Sequence, residues 1–171
     1  MPTLFRALIA ALFLGLALPS AASDLLVRTE PLSKLDMGYM QQQRQLIRDI
    51  AGQRLGRYFN GDRDNDLALL QELLDRRVVK GDQTKELQAM GLIMGDHLKE
   101  ELGLNWVIYV DKVGRNRALR YREGDHYLFP MTMIARRREV GNEEPVIAIY
   151  ARARDKMLRS IPRNPFEAEL N

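Results

Sequence analysis

The stretch GLNWVIYVDKVGRNRALRYREGDHYLFPMTMIARRR, residues 103–138, decides how the chain is read. The only tryptophan, most of the strand-forming residues and the densest arginines fall inside it. Trp106, Ile108 and Val110 alternate with Asn105, Val107, Tyr109 and Asp111, a period of two that fits a strand with one strongly apolar face. Gly114 and Asn116 follow, residue types that tolerate the left-handed conformations of a hairpin loop. A second strand is expected over residues 117–121, a turn over 122–125 and a third strand over 126–129. Pro130 ends the run, because proline cannot donate to a ladder and suits the first turn of a helix. The expectation is a three-stranded antiparallel meander feeding a helix.

Helical periodicity dominates on both sides. Ser33 is a good N-cap with Asp36 three residues on, and Leu35, Tyr39, Met40, Leu46, Ile47, Ile50, Leu55 and Phe59 recur at three- and four-residue steps. That helix is expected to end near Asn60 and Gly61. A polar connection over 62–66 follows, with Asn65 or Asp66 as N-cap of a second helix whose inner face is Leu67, Leu70, Leu73, Leu74 and Val78. Lys80 and Gly81 break it, and a third helix starts at Asp82, carries Leu87, Met90, Met94 and Leu98 inward and stops at Gly103. Gly91 and Gly95 lie inside this helix at a cost of about 1 kcal/mol each relative to alanine. A close approach by another helix is the natural compensation, and a ligand pressed against the same glycine face is the alternative. Beyond the meander, residues 130–140 read as a helix with Met131, Ile134 and Ala135 inward. Val146, Ile149, Tyr150, Ala153, Met157 and Ile161 mark a last one, stopped by Pro162 and Pro165.

The first 22 residues read differently. Arg6 supplies a positive start, residues 7–18 are apolar with one glycine, and Pro19-Ser20-Ala21-Ala22 ends in a small-x-small pattern, which is how a secretory signal peptide is built. The apolar run is short of the roughly 20 residues that span a bilayer, so no integral membrane segment is expected after leader removal. The chain has no cysteine, hence no lipid attachment site, no disulfides and no thiol chemistry. Residues 23–32 have little periodicity and read as an arm leading into a single α+β domain over 23–171: a helical N-terminal half, the three-stranded meander and C-terminal helices. The expected compartment is the periplasm or the medium.

Chemistry-bearing motifs are sparse. Asp62-Arg63-Asp64-Asn65-Asp66 begins like a calcium loop, but the sixth position is Leu67 and the twelfth Leu73, where a glycine and a bidentate glutamate are needed. His97 and Glu101 share a helix face, and His126 is the only other histidine, so the ligand count of a zinc site is not visible. No serine lies in a nucleophile motif. No catalytic residue, metal site or cofactor is therefore assigned. The alternative is an envelope hydrolase that uses His97, His126 and carboxylates.

Arginine is the remaining signal. Residues 103–171 carry 13 Lys and Arg against 9 Asp and Glu, whereas residues 23–102 carry 12 against 14. Arg136, Arg137 and Arg138 are consecutive on a helix and fan over roughly 200 degrees, so they cannot all face one ligand. Arg117, Arg120, Arg136 and Arg137, together with Tyr127, form the candidate binding surface, since arginine and tyrosine are enriched at protein contacts. The expected partner is an envelope protein or an anionic cell-wall component. Nucleic acid is not expected for an exported chain whose net charge is only +3.

Several of these residues also carry a resemblance. Met90-Gly91, Gly95-Asp96, Glu101-Leu102-Gly103-Leu104-Asn105-Trp106, Gly114, Ala118-Leu119 and above all Leu128-Phe129-Pro130-Met131-Thr132-Met133-Ile134 resemble DUF3806, a bacterial domain of unknown function. The resemblance implies a domain core at about residues 86–160. It implies no catalytic residues, and it treats Trp106, Phe129 and Pro130 as one unit.

Export is directly testable. Expressed with its own leader, the protein should be recovered from the envelope fraction as a species beginning at Ser23, read by N-terminal sequencing. Full-length chain accumulating in the cytoplasm would overturn the leader reading.

Overall fold

The computed structural model describes residues 27–161. The expected leader, over residues 1–22, and the stops at Pro162 and Pro165 lie outside the described residues.

The architecture is organised around a helix, α3 (Thr84–Leu102), that is buried on almost every side. Leu87, Met90, Leu92, Met94 and Leu98 are fully buried along it, and Gly91 and Gly95 are buried with them. Residues 89–95, nearly two turns, are buried on every face, which places the middle of this helix inside the structure. Packed on it are α1 (Lys34–Leu55), α2 (Arg63–Asp75), α4 (Pro130–Glu139) and α5 (Val146–Ser160). Its C-terminus turns at Gly103, whose φ of 61° is the left-handed region that glycine enters cheaply. The chain then runs straight into the sheet.

Among the described residues the sheet has four antiparallel strands in sequence order: β1 (Arg28–Glu30), β2 (Leu104–Asp111), β3 (Gly114–Tyr121) and β4 (Tyr127–Leu128). The expected α+β class holds, with the meander at its centre. The sheet differs from the expected three strands by β1, in the segment read as an arm. Arg28 pairs with Val110, Thr29 with Tyr109 and Glu30 with Ile108. Three residues are too few to show a period of two, and main-chain pairing to an open edge needs no particular side chains. β2 and β3 pair along their full length, from Leu104 opposite Tyr121 to Asp111 opposite Gly114. Leu104, Trp106, Ile108, Leu119 and Tyr121 therefore share the face turned toward α3, while Asn105, Val107, Tyr109 and Asn116 share the other.

Helix boundaries also moved. Gly56 ends α1 in the left-handed conformation, four residues earlier than expected, and Phe59 packs on the core from the loop. Leu35 is 86% exposed, whereas Asp36 is 2% exposed, because the capping box with Ser33 turns the carboxylate inward. Asp62, not Asn65 or Asp66, caps α2: its side chain accepts from the Asn65 amide at 2.8 Å. Val79 replaces Val78 as the buried residue after α2.

The glycines in α3 meet the start of α4. A Cβ on Gly91 would lie 2.4 Å from the Pro130 carbonyl oxygen and 2.8 Å from Met131 Cα. One on Gly95 would lie 2.7 Å from the Trp106 ring and 2.8 Å from Pro130 Cβ. Both distances are inside van der Waals contact, so the approach exists only because the side chains are missing. Gly91→Ala should therefore destabilise by about 1–3 kcal/mol, as overpacking does. Gly95→Ala should cost less, since its neighbours are side-chain atoms. Gly38→Ala, with nothing within 4 Å of its added Cβ, should stabilise by up to about 1 kcal/mol through helix propensity. Urea unfolding of the three variants checks this order, and equal stabilities for the Gly91 and Gly38 variants would overturn it.

Candidate functional site

β4 is two residues long and faces only Leu119 and Arg120 of β3. Pro130 then carries the chain away into α4, so among the described residues the half of β3 nearest the hairpin tip has no strand on its outer side. A cleft of about 350 Å³ opens there. Arg115, Asn116 and Arg117 of β3 form one wall, and Phe129, Met131, Thr132 and Arg136 form the other. Tyr39 of α1, Gln88 of α3, Tyr109 and Asp111 of β2 and Val113 of the hairpin turn complete it.

Asp36 is the charge around which this cleft is built. Arg115 donates to both its oxygens at 3.0 Å, and Arg117 donates to Oδ1 at 2.9 Å. The Ser33 hydroxyl donates to Oδ2 at 2.6 Å, and its amide to the same atom at 3.2 Å. Hydrogen bonds from Arg115 and Ser33 hold the carboxyl well below the usual carboxylate range, against the opposing effect of burial. The Arg117 guanidinium also lies 4.2 Å over the Tyr39 ring, a cation–π contact. Its Nε is buried with no hydrogen-bond partner among the described residues. Asp111, the carboxylate that itself lines the cleft, accepts from the Val113 and Gly114 amides of its own turn. Arg136 is exposed and forms no ion pair with any described residue.

The sequence-predicted residues thus separate. Arg117 and Arg136 meet in the cleft. Arg120 does not: it donates to the Gly124 carbonyl at 2.8 Å and to Thr29 Oγ1 at 2.9 Å, tying the β3–β4 turn to β1. Arg137 donates to Glu144 at 2.7 Å and to the Met133 carbonyl at 2.7 Å, fixing the α4–α5 connection. Tyr127 stacks edge-on against Tyr109 at 4.9 Å between ring centroids, behind the cleft wall. Arg115, Asp36, Tyr39 and Gln88 were not singled out from sequence. The capping-box spacing of Ser33 and Asp36 was visible, yet nothing local says that Asp36 also receives arginines 79 and 81 residues away.

The two histidines lie in separate surroundings. His97 Nε2 is 2.9 Å from Asp66 Oδ2, and Asp66 also accepts from the Asn60 and Gly61 amides at 3.0 and 3.1 Å. His126 borders a hollow beside Lys156 and Ser160 of α5. Glu101 accepts from Tyr150 at 2.5 Å and from Arg154, so it too is engaged in tying α3 to α5. Among the described residues no three His, Asp or Glu side chains gather as metal ligands. A larger hollow of about 710 Å³, between the α2–α3 and α4–α5 loops, places Arg77, Lys80 and Arg138 against Asp75 and Glu143. Its charges largely offset one another.

Asp36 gives a pH prediction. A carboxyl whose pKa is depressed on folding stabilises the fold above its unfolded value, and that stabilisation is lost as pH falls through the folded value. Asp36→Asn should therefore cost about 1.5–3 kcal/mol at pH 7, the range for hydrogen bonds to a charged group. The gap to wild type should narrow as acid is added below the ordinary carboxylate value of about 4. Urea unfolding of both proteins across that range measures it, and a gap independent of pH would overturn the charge assignment.

No curated protein matches the chain. A protein of Bacteroides thetaiotaomicron VPI-5482, known from a crystal structure at 1.50 Å resolution, is similar in fold, with a TM-score of 0.68 and 19% identity over 76% of this chain and 48% of that one. The chain thus spans about half the length of that protein, and a likeness at this identity shows the fold alone. The model of a domain of unknown function, DUF3806, matches residues 66–150. That span begins with α2 at the buried Asp66 and runs to Tyr150, starting some twenty residues before the resembling core and stopping ten residues short of its end. It contains α3, the β2–β4 meander and α4 whole, and by it the chain belongs to the DUF3806 family.

Proposed function

We propose that the protein is a non-catalytic binding module of the bacterial envelope that holds an anionic ligand in the cleft between β3 and α4. The observation that carries this reading is the charge of that cleft. Three guanidinium groups, from Arg115, Arg117 and Arg136, line the cleft against one lining carboxylate, Asp111; Asp36 engages the first two, and the third is exposed and forms no ion pair with any described residue. Guanidinium groups present forked donors that suit carboxylate and phosphate geometry. Tyr39, Tyr109 and Phe129 add apolar wall to the same space, the combination of rigid aromatic and arginine found at contact hot spots.

The proposed location rests on the leader pattern in residues 1–22 and on the absence of cysteine. The ligand is then an envelope protein or an anionic component of the cell wall. Arg120 and Arg137 act in this reading as framework, so replacing Arg137 would confuse binding with folding. Arg136 alone is the clean probe.

Fluorescence anisotropy with labelled poly-L-glutamate is the first measurement. The wild-type chain should bind it with an affinity that falls as salt rises. Arg136→Glu should bind about tenfold or more weakly, since reversing one paired charge removes at least about 1.4 kcal/mol, while unfolding as wild type does. No binding by the wild type, or equal binding by the variant, would remove the basis of the proposal.

A further inference from the structure

The main chain at the cleft wall is as informative as its arginines. Tyr121 donates its amide to the His126 carbonyl at 3.3 Å, on the side of β3 away from β2. In an antiparallel strand the main-chain groups of alternate residues point the same way, so Leu119, Arg117 and Arg115 present their amides and carbonyls to that side as well. The register agrees: Gly114, on the even positions of β3, faces Asp111 of β2 across the hairpin turn, which leaves the odd positions of β3 to the outer side. β4 covers Leu119 and Arg120 and goes no further. The outward main-chain groups of Arg115 and Arg117 therefore border the cleft beyond the end of β4.

We infer that the ligand of this cleft is an extended acidic peptide that adds to β3 as a strand, taking the place that β4 would occupy if it continued past Leu128. The inference rests on the anion-binding reading above and names the class of ligand. An added strand would satisfy the Arg115 and Arg117 main-chain groups, as sheet augmentation does elsewhere. Its side chains alternate between two faces. One set meets the ring walls of Tyr109 and Phe129, and the other meets the arginines. Arg136, exposed at the cleft, gives the second set a preference for Asp and Glu. An open strand edge flanked by arginine in this way selects against basic peptides and against other copies of the same cationic edge.

A library of short random peptides, screened against the immobilised full chain, supplies the probe. Bound sequences should be enriched in Asp and Glu, with hydrophobic residues at alternate positions. The best binder is then remade with its main-chain nitrogens methylated at alternate residues, which removes strand hydrogen bonds and keeps every side chain. Methylation in one of the two phases should weaken binding about tenfold or more, as loss of two main-chain hydrogen bonds implies. On binding the unmodified peptide, the Arg115 and Arg117 amides should exchange more slowly with solvent. No enrichment of acidic peptides, or equal binding by both methylated forms, overturns strand addition. If poly-L-glutamate still binds through Arg136 in that case, the anion-binding reading stands without it. If nothing binds, both fall.

Discussion

The contact on which the rest of the structure depends is that between the backbone of Pro130 and Met131 and the glycine face of α3. With Gly91 2.4 Å from the Pro130 oxygen once a Cβ is placed on it, no side chain larger than hydrogen is compatible with the observed approach. That approach sets where α4 begins, and the Trp106 ring fills the space beside Gly95. Asp96 then holds the ring from one side, accepting from the indole nitrogen at 3.0 Å, and accepts from Arg44 of α1 at 2.6 and 2.8 Å. One close crossing thus positions α4, β2 and α1 together. The cleft is what remains where α4 leaves the sheet.

Asp36 joins the same parts from the other end. Its carboxylate caps α1 and receives two arginines of β3, so the start of the first helix is fixed against the sheet by charge-assisted hydrogen bonds. Such a buried carboxylate is costly to desolvate, and only the number of its donors makes it favourable. Under the anion-binding proposal, Arg115 and Arg117 are held rigid at the cleft wall before a ligand arrives, which lowers the entropic cost of using their remaining donors. Arg136 forms no ion pair with any described residue and is the free charge of that proposal.

The surface arginines show how composition and function part company. Arg120, Arg137 and Arg138 bond to main-chain carbonyls and acidic side chains in the turns that follow β3 and α4. Their role is to close loops that have few apolar residues of their own. Arginine is suited to this because one planar group reaches several acceptors at once. An arginine-rich segment is therefore weak guidance to a binding site until the internal partners are known.

Local pattern was enough for much of the fold. The period of two from Trp106 to Val110, the period near 3.6 in the helices, the glycine that ends α3, and the proline that opens α4 each act within a few residues, so they can be read one segment at a time. The compensation for Gly91 and Gly95 was legible for the same reason, as a local cost that demanded a neighbour. Pairings between distant segments were not legible. Whether Asp36 points to solvent or to Arg115 and Arg117, and whether residues 28–30 find an open strand edge, depend on where the packed backbone brings groups 78 or more residues apart. The sequence by itself determined the elements and the residue types available to a site. Only the tertiary structure decided which of them share a cleft, because hydrogen bonds and ion pairs act over a few ångströms and carry no trace in the spacing along the chain.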